Sequence, residues 1–437
     1  MKNIFILFTL IIAVSVRAQE NVYPAPPQTQ TIILAGGTIH VGNGQVIENG
    51  NIVFENGRIT FVGATLPATA NARTISVSGK HIYPGVIAPS TNLGLIEVSS
   101  VRATFDHTEL GAMNPSVKTL NAYNTESKVI NTLRTNGVLL AHIVPRGGTF
   151  SGTSSVVQLD AWNFEDAAYK ANNGIHLNLP VLANRPQGGF FGQQQQRQPG
   201  QEDAMRSALN RVEEIRNFFR QAKGYFANTN KAEKNLKYEA VKGLFDKSQK
   251  LFVHCNLVKE MMVAIDMKKE FGFDVVIVGG DDSWMIGGLL KDNNISVILN
   301  EPHSLPATAD DDVDQPYKTG YLLQKAGVVF TICQEAGDGY WQQRCLPFQA
   351  GTMAAYGLSK EEALQAITLN AAKILGIDDK TGSLEKGKDA NIVVSDGDLL
   401  DMMTNKVTHA FIQGREISLD NKHNQLFEKY KYKYGIK

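Results

Sequence analysis

Short apolar runs separated by glycine-containing turns open the chain after a proline-containing lead-in at residues 19–30. We predict one turn at Gly36-Gly37 and a second at Asn56-Gly57. An Asn-Gly pair between alternating apolar residues is a hairpin signal. The pattern therefore predicts a small unit of antiparallel strands near the start of the chain.

Helical and strand patterns then alternate through the middle of the chain. The predicted helices are residues 127–136, 201–222, 238–248 and the stretch that ends at 270. The predicted strands are residues 137–144, 250–255, 274–278, 296–299 and 328–332. Such alternation is typical of a parallel sheet whose strands are connected by helices.

The last hundred residues carry strong helix-boundary signals followed by strands. Ser359 and Glu362 have capping-box spacing, and Gly376 is placed to end a helix. Residues 388–396 and 407–417 look like strands, and a Lys- and Tyr-rich tail follows at 420–437.

The N-terminus predicts export. Lys2 precedes a short apolar run at residues 4–16, and small residues offer a cleavage site before Gln19. The run is too short to span a bilayer, so we expect no membrane span after signal cleavage and a periplasmic or extracellular location.

Composition narrows the function classes. Lys plus Arg and Asp plus Glu both number 43, so the net charge is zero, and no global positive field favours binding to nucleic acid or to an anionic membrane surface. Three cysteines do not make a disulfide scaffold, and we expect buried or half-buried thiols. The Gln-rich stretch at 187–201 predicts a surface excursion, with a lid over a barrel mouth as the alternative.

The stretch from Lys80 to Leu95 resembles the entry strand of the amidohydrolase superfamily, where Pro-Gly-x-Ile-Asp-x-His-x-His opens a metal-binding barrel. Pro84, Gly85 and Ile87 match this pattern. Ser90 and Asn92 occupy the two histidine positions. Alternate residues of a strand share a face, so these side chains are expected to line the substrate site in place of two metal ligands.

The resemblance implies an α/β fold: a (β/α)8 TIM-like barrel beside a composite β-sandwich built from both chain ends. The expected divisions follow the chain: signal peptide 1–18, lead-in 19–30, N-terminal sandwich part 31–84, barrel 85–384, C-terminal sandwich part 385–419 and tail 420–437.

The resemblance also implies a metal set at the carboxyl ends of the barrel strands. His254 fits the fifth-strand histidine, as a metal ligand and catalytic residue, although a structural core histidine is the alternative. Gly279 stands where the next strand should supply histidine, and Glu335 stands in for the final aspartate as ligand or base. His303 is a further candidate for lining the substrate site, and both His303 and His142 could also contribute to the metal set.

Two functions stay open at this point. Residues 151–166 and 174–180 look like the imidazolonepropionase-like branch, which implies a hydrolase of non-peptide carbon–nitrogen bonds such as cyclic amides. It would use zinc or another divalent metal on a small-molecule substrate. The alternative is a pseudoenzyme without metal that acts as a binding or assembly partner. The resemblance further implies a homo-oligomer or a complex with an amidohydrolase paralogue.

Overall fold

The computed structural model describes residues 23–69, 71–182, 204–228, 233–308, 310–334 and 339–436. The predicted signal peptide, the stretch 187–201 and Glu335 lie outside these ranges. Residues 23–30, part of the predicted lead-in, are mostly exposed. Ala25 is the exception, because its backbone N–H is hydrogen-bonded to the buried carboxylate of Asp160.

The strands follow the chain in the order β1 (Ile32–His40), β2 (Val46–Glu55), β3 (Arg58–Gly63), β4 (Arg73–Ser76), β5 (His81–Pro84), β6 (Val86–Thr91), β7 (Val138–Ile143), β8 (Phe150–Gln158), β9 (Ala168–Asn178), β10 (Lys250–Cys255), β11 (Val275–Gly279), β12 (Ser296–Leu299), β13 (Phe330–Ile332), β14 (Ile392–Ser395), β15 (Val407–Ile412) and β16 (Arg415–Glu416).

The α-helices follow in the order α1 (Lys128–Arg134), α2 (Phe164–Ala167), α3 (Ala204–Ala227), α4 (Leu236–Ala240), α5 (Lys242–Phe245), α6 (Val258–Phe271), α7 (Gly287–Asp292), α8 (Gln315–Ala326), α9 (Gly339–Gln342), α10 (Leu346–Ala355), α11 (Lys360–Ile367), α12 (Leu369–Leu375) and α13 (Lys422–Tyr434). Within the described ranges, no helix is long and apolar enough to cross a membrane.

One eight-stranded sheet combines strands from both ends of the chain, in the order β16-β15-β14-β5-β1-β2-β3, with β4 paired to β1. The predicted turn at Asn56-Gly57 joins β2 to β3, and both residues have positive φ as a tight hairpin requires. The turn predicted at Gly36-Gly37 is wrong. These glycines lie inside β1, where Gly36 (φ 80°) takes part in a register shift of the β1–β2 pairing.

The second sheet has the order β13-β12-β11-β10-β9-β8-β7-β6 and forms a nearly closed barrel. It departs from the regular (β/α)8 pattern at β8, which pairs antiparallel with both β7 and β9. Only residues 144–149 separate β7 from β8. A connection this short cannot carry a crossover helix, so the chain reverses instead.

Apolar side chains fill the barrel interior, among them Ile87, Leu140 and Phe252. Residues of α12 belong to the same cluster and close the end at which the parallel strands begin. Lys250, the first residue of β10, donates hydrogen bonds to the carbonyls of Lys373 and Ile374 near the end of that helix. Cations favour the C-terminal end of a helix, so this contact fixes α12 beneath the barrel.

The boundary signals near the C-terminus are confirmed. Ser359 caps α11 and forms a capping box with Glu362. Gly376 ends α12 in the left-handed conformation. The helix predicted over 238–248 instead forms two short helices, α4 and α5, because Val241 leaves the helical conformation.

Candidate functional site

The carboxyl ends of the central barrel strands surround a cavity of about 420 Å³. Its lining residues come from the ends of β9, β10 and β11 and from the segments after β10, β11 and β12, and they include Asn178, His254, Asp281 and Asn300. A second cavity of about 290 Å³ shares Asp281 and Asn300 and extends towards the loop before α8. Barrel enzymes place their catalytic groups at this end of the strands.

His254 reaches this cavity from the end of β10, while its ring contacts a second histidine deeper in the barrel. Its Nε2 atom lies 2.9 Å from Nδ1 of His176 on β9. The His176 ring is fully buried and stacks on Phe252 with ring centroids 4.9 Å apart. Burial, reinforced by the neighbouring His254 and His142, lowers the pKa of His176 well below 6.5, so this imidazole is neutral.

The position of the single proton on His176 follows from its surroundings. Its Nε2 atom is buried and contacts no hydrogen-bond partner within the described residues. A buried N–H without an acceptor costs more than a buried lone pair, so Nδ1 carries the proton and donates to His254. The Nε2 lone pair of His254 is therefore engaged, and it cannot also ligate a metal without breaking this hydrogen bond.

His142 is held in a similar way on β7. Its Nδ1 donates to the carbonyl of Pro89 at 2.9 Å, because a carbonyl oxygen can only accept. Its Nε2 atom lies 2.7 Å from the Ser154 hydroxyl oxygen. Both ring nitrogens are used inside the barrel, so His142 orders the interior and does not face the cavity.

The two residues at the histidine positions of the superfamily pattern are buried at the end of β6. The pairing of β6 with β7 shifts register between Ala88 and Thr91, so the strict alternation expected for Ser90 and Asn92 is interrupted. The carbonyl of Ser90 accepts from Gln343 Nε2 at 2.9 Å. The same nitrogen donates to the carbonyl of Gln334, also at 2.9 Å. Gln343 therefore bridges the two ends of the barrel sheet.

Gly279 explains why no histidine stands at the end of β11. Its φ is +99°, in the region that favours glycine. A Cβ atom would meet Asn256 Oδ1 at 2.2 Å and the carbonyl of Cys255 at 3.0 Å. Any side chain here would therefore be strained by the positive φ and would have to displace the Asn256 amide.

The other predicted site residues are placed as follows. His303 lies on the loop after β12, where its Nε2 contacts Thr352 Oγ1 at 2.6 Å, and it lines neither cavity described above. Glu335 lies outside the described residues, so its role stays a prediction. The preceding Gln334 is buried and accepts from Gln349 at 2.6 Å.

Across the described part of the chain, no group of three or more His, Cys, Asp or Glu side chains is placed to hold a metal ion. Ser90 and Asn92 are weak substitutes for imidazole, Gly279 offers no side chain, and the Nε2 atom of His254 is engaged. The described donors therefore do not fit the zinc set that the resemblance implies.

Asp281 is the functional candidate that the sequence pattern did not single out. It follows the Gly279-Gly280 pair, lines both cavities and accepts a hydrogen bond from Asn300 Nδ2 at 2.9 Å. Burial raises the pKa of the Asp281 carboxyl, while the hydrogen bond from Asn300 opposes that rise. The sequence signal that could have identified Asp281 is a carboxylic acid residue directly after a Gly-Gly pair at the end of a predicted strand.

The three cysteines are free, as expected. Cys255 and Cys333 are buried and Cys345 is half-buried. Burial raises the pKa of the Cys255 thiol well above 9.0, so this residue is not a ready nucleophile although it lines the cavity.

Comparison with known proteins agrees with this fold. Residues 234–417 match the model of the amidohydrolase family. An amidohydrolase from Thermotoga maritima has the same fold, with a TM-score of 0.75 and 23% identity over 89% of this chain and 99% of that one.

Two imidazolonepropionases are similar over shorter segments. The protein from Thermoplasma volcanium is 54% identical over 86 residues, which are 20% of this chain and 21% of that protein. The protein from Streptococcus sanguinis is 27% identical over 180 residues, 39% of this chain and 40% of that protein. The matches thus span less than half of these relatives. Together, the family match and the shared fold confirm that the chain resembles the amidohydrolase superfamily. The similar imidazolonepropionases agree with the resemblance to the imidazolonepropionase-like branch.

Proposed function

We propose that this protein is a hydrolase of non-peptide carbon–nitrogen bonds, such as those of cyclic amides. The observation that carries the proposal is the cavity at the carboxyl ends of the barrel strands, because Asp281 and His254 both line it. The amidohydrolase match supports the reaction class.

Asp281 is the proposed general base. Burial raises the pKa of this carboxyl towards the range in which it can accept a proton from water. Water then forms a bond to the amide carbon, the carbon–nitrogen bond breaks, and the proton held on Asp281 passes to the departing nitrogen. The products are an amine and a carboxylic acid, and the acid releases its proton to solvent, so each atom of the added water is accounted for.

Asn300 and His254 are the proposed positioning residues. Asn300 Nδ2 holds one oxygen of Asp281 at 2.9 Å, which leaves the second oxygen to face the water. The hydrogen bond from buried His176 fixes the plane of the His254 ring at the cavity wall. A fixed ring is suited to orienting a substrate.

The lining of the cavity favours a neutral or cationic substrate. Asn178, Asn256 and Asn300 supply amide groups, and the residues that line the two cavities include carboxylates but no lysine or arginine. Amide side chains can donate and accept hydrogen bonds, which matches an amide or a cyclic amide. An anionic substrate would be repelled by the carboxylates.

The zinc or other divalent metal that the resemblance implies enters no step of this proposal. The described donors do not fit it, and Glu335 remains a predicted ligand or base. We also propose that the protein is exported, from the apolar run at residues 4–16 and the cleavage site before Gln19.

A second candidate function is a non-catalytic binding or assembly partner of amidohydrolase fold. The geometry of Gly279 favours it, because the positive φ and the close Asn256 amide disfavour a histidine at this strand end. In this reading the cavity still binds a small molecule but does not cleave it.

A screen of neutral and cationic cyclic amides with the chain from residue 19 onward tests the proposal. The wild type is expected to hydrolyse at least one class, and Asp281→Asn is expected to lose about 100-fold or more in kcat/KM. Asp292→Asn, an exposed aspartate at the end of α7, is the matched control and should not change the rate. Binding of these compounds without any turnover would overturn the hydrolase proposal in favour of the second candidate.

A further inference from the structure

The C-terminal helix α13 carries an exposed aromatic stripe that the proposed function does not use. Phe427, Tyr430 and Tyr434 are spaced three and four residues apart, so they share one helix face. Their exposed fractions are 65%, 48% and 65%. Together with Leu426 and Ile436 they line an apolar groove on the protein surface.

Lysines flank this stripe. The helix contains Lys422, Lys429, Lys431 and Lys433 but only one acidic residue, Glu428. At 100° per residue, Lys431 lies on one side of the aromatic stripe and Lys433 on the other, while Lys429 lies further round the helix behind Lys433. The ammonium of Lys433 lies 5.1 Å from the ring centroid of Tyr434. In the described residues, no ion pair joins these lysines to a carboxylate.

The helix is formed in advance of any partner. The side chain of Asn421 accepts hydrogen bonds from the backbone of His423 and Asn424, and Gly435 ends the helix in the left-handed conformation. A capped helix does not have to fold on binding, so its apolar face is presented at no ordering cost.

Charge complementarity identifies the kind of partner. The whole chain is neutral, with 43 basic and 43 acidic residues, so the excess positive charge belongs to this helix and not to the protein at large. Pairing of the same face with a second copy would bring lysines against lysines. An anionic surface satisfies the lysines, and aromatic rings flanked by lysines suit the boundary between lipid headgroups and acyl chains.

We propose that α13 docks this protein onto the surface of an anionic phospholipid bilayer. The rings of Phe427, Tyr430 and Tyr434 enter the headgroup boundary, and the lysines contact the phosphates. The helix lies in the plane of the interface and does not cross the membrane.

Sedimentation of the full chain with vesicles tests this proposal. Vesicles of phosphatidylcholine with phosphatidylglycerol should bind the protein at low salt, whereas phosphatidylcholine alone should bind it weakly. High salt should weaken the binding. The paired substitutions Phe427→Ser with Tyr430→Ser, and Lys429→Glu with Lys433→Glu, should each reduce binding about ten-fold or more.

Met402→Ser with Met403→Ser is the matched control, because these side chains are exposed and apolar but do not belong to α13, so their removal should leave vesicle binding unchanged. An unchanged thermal midpoint shows that the helix variants remain folded. Failure of the wild type to bind anionic vesicles, or equal binding by the helix variants, overturns the proposal. A dimer in light scattering that is broken by Phe427→Ser, without vesicle binding, also overturns it and makes this face a contact between copies.

Discussion

The Nδ1 atom of His176 lies 2.9 Å from the Nε2 atom of His254 and donates a hydrogen bond to it. This contact joins the buried interior of the barrel to the wall of the candidate active site. It also engages Nε2, one of the two ring nitrogens that His254 could offer to a metal. The pH dependence of the free energy of unfolding reports the charge state of His176.

Stability should fall in mild acid because of His176. Its pKa in the folded protein is well below the unfolded value of 6.5, so below pH 6.5 the unfolded chain binds a proton that the folded chain does not. The free energy of unfolding then decreases as pH falls, by up to about 1.4 kcal/mol per pH unit from this group. Urea unfolding at a series of pH values measures the slope.

His176→Gln removes this contribution and should flatten the acid side of the curve. His81, His107 and His303 also have lowered pKa values through burial, but they are present in both proteins. The difference in slope therefore reports His176. Parallel curves for the two proteins would show that His176 is not a buried neutral imidazole.

Gly279→Ala should be much more harmful than Gly272→Ala. Both glycines have positive φ, but a Cβ at Gly272 would meet nothing within 4 Å. Alanine at Gly272 should therefore cost about 1 kcal/mol for its backbone conformation alone. Alanine at Gly279 would in addition displace Asn256 and press on the Cys255 carbonyl, which should add about 1–3 kcal/mol. If both variants lost the same free energy of unfolding, the close packing around Gly279 would be contradicted.

Asp160→Ala should be strongly destabilising. The carboxylate is buried and accepts from Arg134 at 2.5 Å and from Arg415 at 2.9 Å, so it ties the barrel to the last strand of the other sheet. Removing it leaves the buried Arg134 and the half-buried Arg415 without their carboxylate, and breaking a buried ion pair typically costs about 3–5 kcal/mol. Thermal unfolding compares it with Asp396→Ala, which breaks only exposed ion pairs and should change stability little. A small loss in both variants would mean that Asp160 is solvated.

The pH dependence of hydrolysis should identify the base. kcat/KM is expected to fall as pH is lowered through the pKa of Asp281, which burial raises above 3.8. The hydrogen bond from Asn300 lowers that pKa, so Asn300→Ala should move the acid limb to higher pH. Asn178→Ala, at the end of β9 and not hydrogen-bonded to Asp281 in the described residues, should leave the limb in place. An acid limb that is unchanged in Asn300→Ala would assign the titration to another group.

The sequence predicted the fold well where local signals and tertiary packing agree. The capping box at Ser359, the stop at Gly376 and the strand 250–255 are local patterns that packing did not alter. The reversal of β8 could not be read from periodicity, because a buried strand has the same pattern in either direction. The turn prediction at Gly36-Gly37 failed for a related reason, because a glycine pair indicates a turn and a β-bulge equally well.

The candidate site was predicted less completely. His254 could be identified from its place at a strand end, and the structure puts it at the cavity wall. Its contact with His176 joins residues that are 78 positions apart, a pairing that depends on the register of β9 and β10. Asp281 was overlooked because the superfamily pattern directs attention to Gly279, two residues earlier.

The central claim is that carbon–nitrogen hydrolysis takes place in this cavity with Asp281 as the base. The most direct measurement is kcat/KM for the best cyclic amide, compared between the wild type and Asp281→Asn in protein of equal fold and equal metal content. We predict a loss of about 100-fold or more in the variant. Full activity in Asp281→Asn would contradict the account and move the reaction to a different set of residues.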